Sequence, residues 1–345
     1  MRRAFLKAMT AALAAAAIFG GTGAVQAETP AEFYQGKAIK WIVPYKPGGG
    51  YDEYSRIIAP FLEKYTGARV DIVNMPGAGG MKGANEIFNA PDDGLTIGII
   101  NGSAMVTNEI AGIAGAKYKV ADYNFLGRVV ADQRVLIVST QSGLNSFEDL
   151  LASDEPVLLG ATGLGGSTYV DAVVVGLVMG NNQKVIHGFN SSSDVRQALL
   201  RGDIQGMWGS LGSALNGIEA GDMKVITHDA NKGIPQAPDV PSVFEHAANT
   251  DNPARSYEIL ATWDALSAVG RPVATSPGVP EDRVAFLQKA FSEAMNDPEF
   301  VTIAEDTQRD ISFLDGNSMK LIARASTQMK PEVKEIFVAA IRGEI

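Results

Sequence analysis

Two glycine loops constrain this chain more than any other feature. Pro47-Gly48-Gly49-Gly50 and Pro76-Gly77-Ala78-Gly79-Gly80 each leave a β-rich run and enter a helical pattern. Glycine reaches backbone angles that other residues resist, and it lets a ligand approach the main chain closely. The helix behind such a loop offers unpaired N–H groups and the positive end of its dipole, which suits a carboxylate or phosphate. Either loop alone reads equally well as a tight turn. Two in successive units, with Ser/Thr-rich loops opposite, favour an anion cradle. Neither matches a nucleotide fingerprint. No G-x-x-x-x-G-K-[ST] is present, and Glu53 and Lys82 stand where G-x-G-x-x-G needs its last glycine.

The surrounding pattern alternates short β-runs with helices, which predicts an α/β fold with layers around mostly parallel sheets. Ile39–Tyr45, Arg69–Val73 and Leu95–Ile100 read as strands. The first is followed by a helix whose apolar face is Tyr54, Ile57, Ile58, Phe61, Leu62 and Tyr65, with Pro60 expected to kink it. The third ends in Asn101-Gly102-Ser103. Three loops then share one sheet edge, at the carboxyl ends of the strands where ligands bind open α/β sheets.

A second set follows. Arg134–Ser139, Val157–Ala161, Lys184–Gly188, Ile204–Trp208 and Lys224–Thr227 read as strands. Ser146 and Asp149 have capping-box spacing. Thr162 to Thr168 and Asn190 to Asp194 are the polar loops of this half. Tyr257–Val269 reads as a further β-rich run, and the C-terminal part as helical, with Pro280 at a helix start and a buried face on Val284, Leu287, Ala290, Phe291 and Met295. The expected organisation is a leader over 1–27, a discontinuous first domain over 28–130 and 246–345, and a second domain over 131–245. Two crossings between domains make a hinge, and the loops face a cleft.

The leader is expected from Arg2, Arg3 and Lys7, the apolar stretch Ala8 to Phe19, and the small-residue site Val25-Gln26-Ala27, with Glu28 the first mature residue. Removing it leaves 26 basic against 39 acidic side chains, a net charge of −13. Such a chain repels nucleic acid and anionic membrane surfaces. With no cysteine, disulfides and a lipid-anchoring thiol are excluded. A soluble periplasmic protein is expected.

Patterns for catalysis are sparse. His187, His228 and His246 are the only histidines, none at i, i+4, so a zinc site has no support and no cofactor is expected. Ser210, in Gly209-Ser210-Leu211-Gly212, lies one residue out of nucleophile-elbow spacing. Lys46 is the one cation within the first glycine loop. It suits a ligand carboxylate and equally a solvated loop side chain. Tyr51 and Trp208 suit a cleft wall and equally a core.

At these loops the chain resembles a known family. Trp41-Ile42-Val43-Pro44-Tyr45-Lys46-Pro47-Gly48-Gly49-Gly50-Tyr51-Asp52 with Arg56, then Asn74 to Gly80 with Asp93-Gly94, is similar to the opening of the tripartite tricarboxylate transporter receptors, also called the Bug family. Ala237 to Ser242 and Pro277 to Pro280 match later landmarks. The resemblance implies a two-lobed, type II Venus-flytrap fold. It also implies a small organic carboxylate held by main-chain groups and bridging waters, and a two-subunit membrane permease as partner. Carried over by position, Gly48, Gly49, Gly50, Asp52, Gly79 and Gly80 belong to the first-domain loops. Thr162, Ser167, Thr168 and Asp194 stand where the second domain contributes. Tyr45, Lys46, Tyr51, Ser103, Asn190, Ser191 and Trp208 complete the expected site. Tyr51 departs from the small polar residue often found before the motif aspartate. A monomeric binding protein, not an enzyme, is expected. A ligand-binding partner of a sensor kinase and an exported hydrolase are the alternatives.

Overall fold

A computed structural model describes residues 28–230, 233–235 and 237–345, so the expected leader lies outside the described residues. Thr29 caps the short helix α1 (Pro30–Tyr34) through a capping box. Strand β1 (Ala38–Val43) then feeds α2 (Gly50–Thr66), which runs as one element through Pro60. The plan repeats in β2 (Arg69–Asn74) with α3 (Met81–Phe88) and in β3 (Thr96–Ile99) with α4 (Gly102–Ile110). After β4 (Asn124–Arg128) the chain enters a second sheet. This runs through β5 (Arg134–Ser139), α5 (Phe147–Leu151), β6 (Val157–Gly160), α6 (Ser167–Met179), β7 (Gln183–Ile186), α7 (Ser192–Leu200), β8 (Gly206–Ser210), α8 (Leu211–Glu219) and β9 (Met223–His228). Helices α9 (Val243–Ala247) and α10 (Pro253–Ser267) precede the return through β10 (Pro272–Thr275). The chain closes with α11 (Glu281–Met295), α12 (Pro298–Asp306), β11 (Leu314–Asp315), α13 (Gly316–Ser326) and α14 (Pro331–Arg342).

The first sheet has the order β11-β4-β10-β3-β1-β2 and the second β7-β6-β8-β5-β9. Strands β1, β2 and β3 are parallel neighbours, which brings their following loops to one edge. The sheets are mixed rather than mostly parallel: β10 runs antiparallel to β3 and β4, and β5 antiparallel to β8 and β9. The reason is topological. The chain leaves the first sheet from β4 and returns into β10 beside it, so exit and entry run in opposite directions. The crossing segments pair: Val129 N–H donates to Arg271 O at 3.0 Å, and Arg271 N–H to Val130 O at 2.9 Å. Gly270 turns there with φ +58°, where a Cβ would collide with Val130 O.

The expected β-run at Tyr257–Val269 is instead the body of α10. Asn252 accepts from Arg255 N–H as N-cap, Pro253 occupies the first turn, and Ser256, Ile259, Leu260, Trp263, Leu266 and Ser267 are buried. Their spacing of three and four is helical; the apolar content had masked the period. The strand of this region is the short β10.

The first sheet packs Trp41, Ile97 and Leu126 against Ile58, Leu62, Phe291 and Phe300 of its helices. The second packs Ile137 and Met207 against Leu199 and Leu215. A third cluster joins the two, with Met105, Trp208, Trp263 and Phe337 among its members. No described helix is long and apolar enough to cross a membrane.

Candidate functional site

Between the two sheets lies a narrow, largely closed cavity of about 30 Å³. Three helices begin at its wall. Helix α2 starts behind Gly49, α6 behind Gly166 and α8 behind Ser210, and none of these N-caps supplies a side-chain cap. First turns without a side-chain cap leave N–H donors and positive dipole ends at the same space, although in α8 the first of these, Leu211 N–H, already donates to Gln133 O at 3.0 Å. Hydroxyls from Ser167, Thr168, Ser192, Ser210 and Ser213 add donors that rotate to suit a ligand.

Charge beneath this polar lining is concentrated on two buried arginines. Arg134 Nε donates to Asp171 Oδ2 at 2.8 Å, with a second, short contact from Nη2. Trp263 Nε1 holds the other Asp171 oxygen at 2.8 Å. Burial pushes the Asp171 carboxyl up, while Arg134 and the indole N–H oppose that rise. Arg271 Nε donates to Asp132 Oδ1 at 2.8 Å, and its guanidinium lies over the rings of Tyr51 at 4.6 Å and Tyr54 at 4.9 Å. Burial alone would depress the Arg271 pKa; Asp132 and the two tyrosines outweigh it, so the group stays charged. Tyr45, raised to about 12 by burial, donates its hydroxyl to Gly79 O at 2.8 Å. Asn101 Nδ2 bridges from the first sheet to the second, donating to Tyr45 Oη at 2.7 Å and to Ser167 Oγ at 3.0 Å.

Residues 55–338 match the model of the tripartite tricarboxylate transporter family receptor. The chain belongs to this receptor family. It is 27% identical over 273 residues, 78% of this chain and 76% of the relative, to the UPF0065 protein in the tcbD-tcbE intergenic region of Pseudomonas sp. strain P51. It is 31% identical to BugT of Bordetella pertussis over 145 residues, 42% of this chain and 44% of BugT. The fold matches the periplasmic binding protein BugD with a TM-score of 0.75 at 19% identity, covering 89% of this chain and 98% of that one. It also matches MatC from Rhodopseudomonas palustris with bound malate, with a TM-score of 0.70 at 19% identity, covering 87% and 99%. These neighbours show the two-lobed binding-protein fold expected from the motifs.

In this receptor-family chain the expected site residues divide. Tyr45, Gly49, Gly50, Tyr51, Thr162, Ser167 and Thr168 line the cavity. The others lie outside the lining. Lys46 Nζ pairs with Asp194 across the lobes at 3.3 Å, and Lys46 N–H donates to Asn190 O at 3.4 Å. Asp52 accepts from Gly48 N–H at 3.0 Å, Arg56 Nε at 2.9 Å and Asn74 Nδ2 at 2.9 Å, bracing the first glycine loop. Burial would raise its pKa, and these donors outweigh it and hold it low. Gly79 packs on Gly163 and Gly166, and Gly80 on Tyr45. Ser103 bonds to Asn101, and Ser191 caps α7. Trp208, expected as a cleft aromatic, is core: it meets Trp263 edge to face at 5.3 Å. None of the three histidines lines the cavity.

Sequence reasoning missed Asn101, Asp132, Arg134, Ser192, Gly209, Ser210, Ser213 and Arg271 as lining residues. A signal existed for the arginines. Arg134 opens an otherwise apolar strand, and Arg271 interrupts Ala268-Val269-Gly270-Arg271-Pro272-Val273, where a solvated cation has no place.

Proposed function

We propose that this chain is a periplasmic receptor that captures a small organic carboxylate between its lobes and delivers it unchanged to a two-subunit membrane permease. The observation carrying this reading is the convergence of three uncapped helix N-termini on one buried cavity. A global net charge of −13 for residues 28–345 opposes anions, so their attraction must be local, and backbone dipoles supply a local field. The cavity gathers donors, with Asp132 as its one acidic lining residue, and no histidine lies within it to serve as a base. This arrangement suits binding and release better than turnover.

The lobes are proposed to comprise 28–130 with 268–345, and 131–267. This places the second crossing later than the 246 expected from the sequence, because α10 packs on α6 and sets Trp263 against Trp208. Export with removal of residues 1–27, and a monomeric state, belong to the same proposal. Malate, bound by MatC, and adipate, bound by a second Rhodopseudomonas palustris neighbour, head the ligands to try.

A thermal-shift panel of mono-, di- and tricarboxylates tests the reading. An acid at a hundred times its dissociation constant stabilises the fold by roughly 2.7 kcal/mol, and mass spectrometry of the eluted acid shows whether it is unchanged. No shift with any acid, or chemical turnover of the bound one, refutes it.

A further inference from the structure

Arg271 is a buried charge that its ion pair with Asp132 satisfies only in part. It lies in the segment that returns from the second lobe to the first, is 2% exposed, and spends one donor, Nε, on Asp132. Its Nη1 is buried and has no hydrogen-bond partner among the described residues. The hydroxyl of Tyr51, whose ring the guanidinium covers, is likewise buried and unpartnered. A buried donor left unsatisfied costs free energy, more so when it is charged. Arg134, the other buried arginine of this cavity, sets two of its nitrogens on Asp171 and has no such orphan.

The position of Nη1 gives the orphan a meaning. A Cβ at Gly50 would stand 2.6 Å from it and would also collide with Ser213 Oγ. Gly50 is the first residue of α2, a helix of 17 residues whose N-cap, Gly49, has no side chain to offer. Two features of the same sign, a guanidinium and a helix N-terminus, therefore face each other at close range in a poorly solvated place. Asp132 pairs with the Nε flank of the guanidinium, and the first-turn carboxylates of α2, Asp52 and Glu53, are engaged by Arg56 and Arg309, so Nη1 on the side toward α2 is left without a partner. An anion seated there would satisfy Nη1, the Tyr51 hydroxyl and the first N–H groups of α2 together.

We propose that Arg271, with the Tyr51 hydroxyl, directly contacts a carboxylate of the bound ligand against the N-terminus of α2, and is the side chain that selects acids over their neutral analogues. This rests on the carboxylate-receptor reading above. It assigns charge recognition to a buried side chain at the crossing between lobes, not to the backbone loops alone and not to Lys46. Glycine at position 50 is then a requirement of the ligand contact. Any side chain there would enter the space between Arg271 and Ser213.

The test is a cycle between protein and ligand. Binding of succinate, malate, adipate and citrate, and of the half-amides of the first three, is measured by calorimetry on the full mature chain. The proteins are wild type, Tyr51→Phe, and the paired variant Arg271→Gln with Asp132→Asn, which keeps the buried site neutral. The expected result is a loss of roughly tenfold to a hundredfold in affinity of the paired variant for the tightest acid. Its preference for the acid over the half-amide should collapse, and Tyr51→Phe should show a smaller loss in the same direction. A folded paired variant that keeps wild-type affinity and acid-over-amide preference overturns the proposal. If the paired variant does not fold, Tyr51→Phe decides by the same two readouts. If the thermal-shift panel yields a tighter acid, that acid and its half-amide join the set; a wild-type protein that binds no acid of the panel overturns the receptor reading itself, and that failure is visible before any variant is measured.

Discussion

Gly79 of the first lobe and Gly166 of the second meet backbone to backbone: a Cβ at Gly79 would stand 2.7 Å from Gly166 N and 2.9 Å from its Cα. Gly79 also holds φ at +62°, which side chains resist. The second glycine loop thus seats one lobe on the other instead of lining the cavity. Gly79→Val should hold the lobes apart while leaving each sheet intact. Small-angle scattering should give a larger radius of gyration and calorimetry a weaker acid affinity, with circular dichroism unchanged. A folded variant with wild-type radius and affinity would contradict this role.

Lys46 and Asp194 form an ion pair across the same closure, and the lysine is half exposed. Exposed pairs contribute about 0–1 kcal/mol. Lys46→Ala should therefore weaken acid binding by no more than about fivefold, and Asp194→Ala should do the same. The double variant should match either single one, since each removes the same contact. Loss of all binding in Lys46→Ala would make the lysine a ligand contact after all.

Arg134 and Asp171 are both buried beside the cavity, and Trp263 completes their network. Removing one partner of such a pair leaves an unpaired buried charge and costs about 3–5 kcal/mol. Urea unfolding of Arg134→Met should show a loss of that order. Adding Asp171→Leu should recover much of it, because an apolar pair carries no desolvation penalty. Equal stability of Arg134→Met and wild type would show that the pair contributes nothing.

Asp297 caps α12 and accepts from Lys64 Nζ at 2.6 Å and Tyr65 Oη at 2.8 Å. These donors, Lys64 first, lower its pKa to about 2. In the unfolded chain it titrates near ~3.9. A depressed carboxylate stabilises the fold fully above the unfolded value and loses that contribution as pH falls towards the folded one. Stability of the wild type should therefore drop more steeply between about pH 4 and 2 than that of Asp297→Asn, which should be the less stable protein at pH 7. Parallel acid limbs for the two proteins would count against the pairing.

Much of this architecture was legible before folding. Glycine loops behind β1 and β2 are local signals, because a tight strand-to-helix turn needs its residues in sequence order. The capping box at Ser146 and Asp149 forms as its spacing predicts. The short strands β4 and β10 and the helical phase of α10 were not legible. Four or five residues carry little period, and Trp263 reads as β-rich until its distance from Leu260 and Leu266 is counted. Lys46 looked like the anion's partner because it is the cation nearest in sequence to a glycine loop; in space Asp194 claims it.

By itself the sequence determined which segments turn, which helices begin uncapped and which charges sit in apolar surroundings, since each depends on a few consecutive residues. Only the tertiary structure decided which of those features share a space. Gly50 and Arg271 stand far apart in the chain and meet because the segment leaving β4 and the segment entering β10 run side by side between the sheets. Gly79 and Gly166 belong to different sheets and meet because closure presses two loops together. Chain order cannot encode such distances, and it is the burial they create that gives a guanidinium or a helix end the strength to hold a ligand.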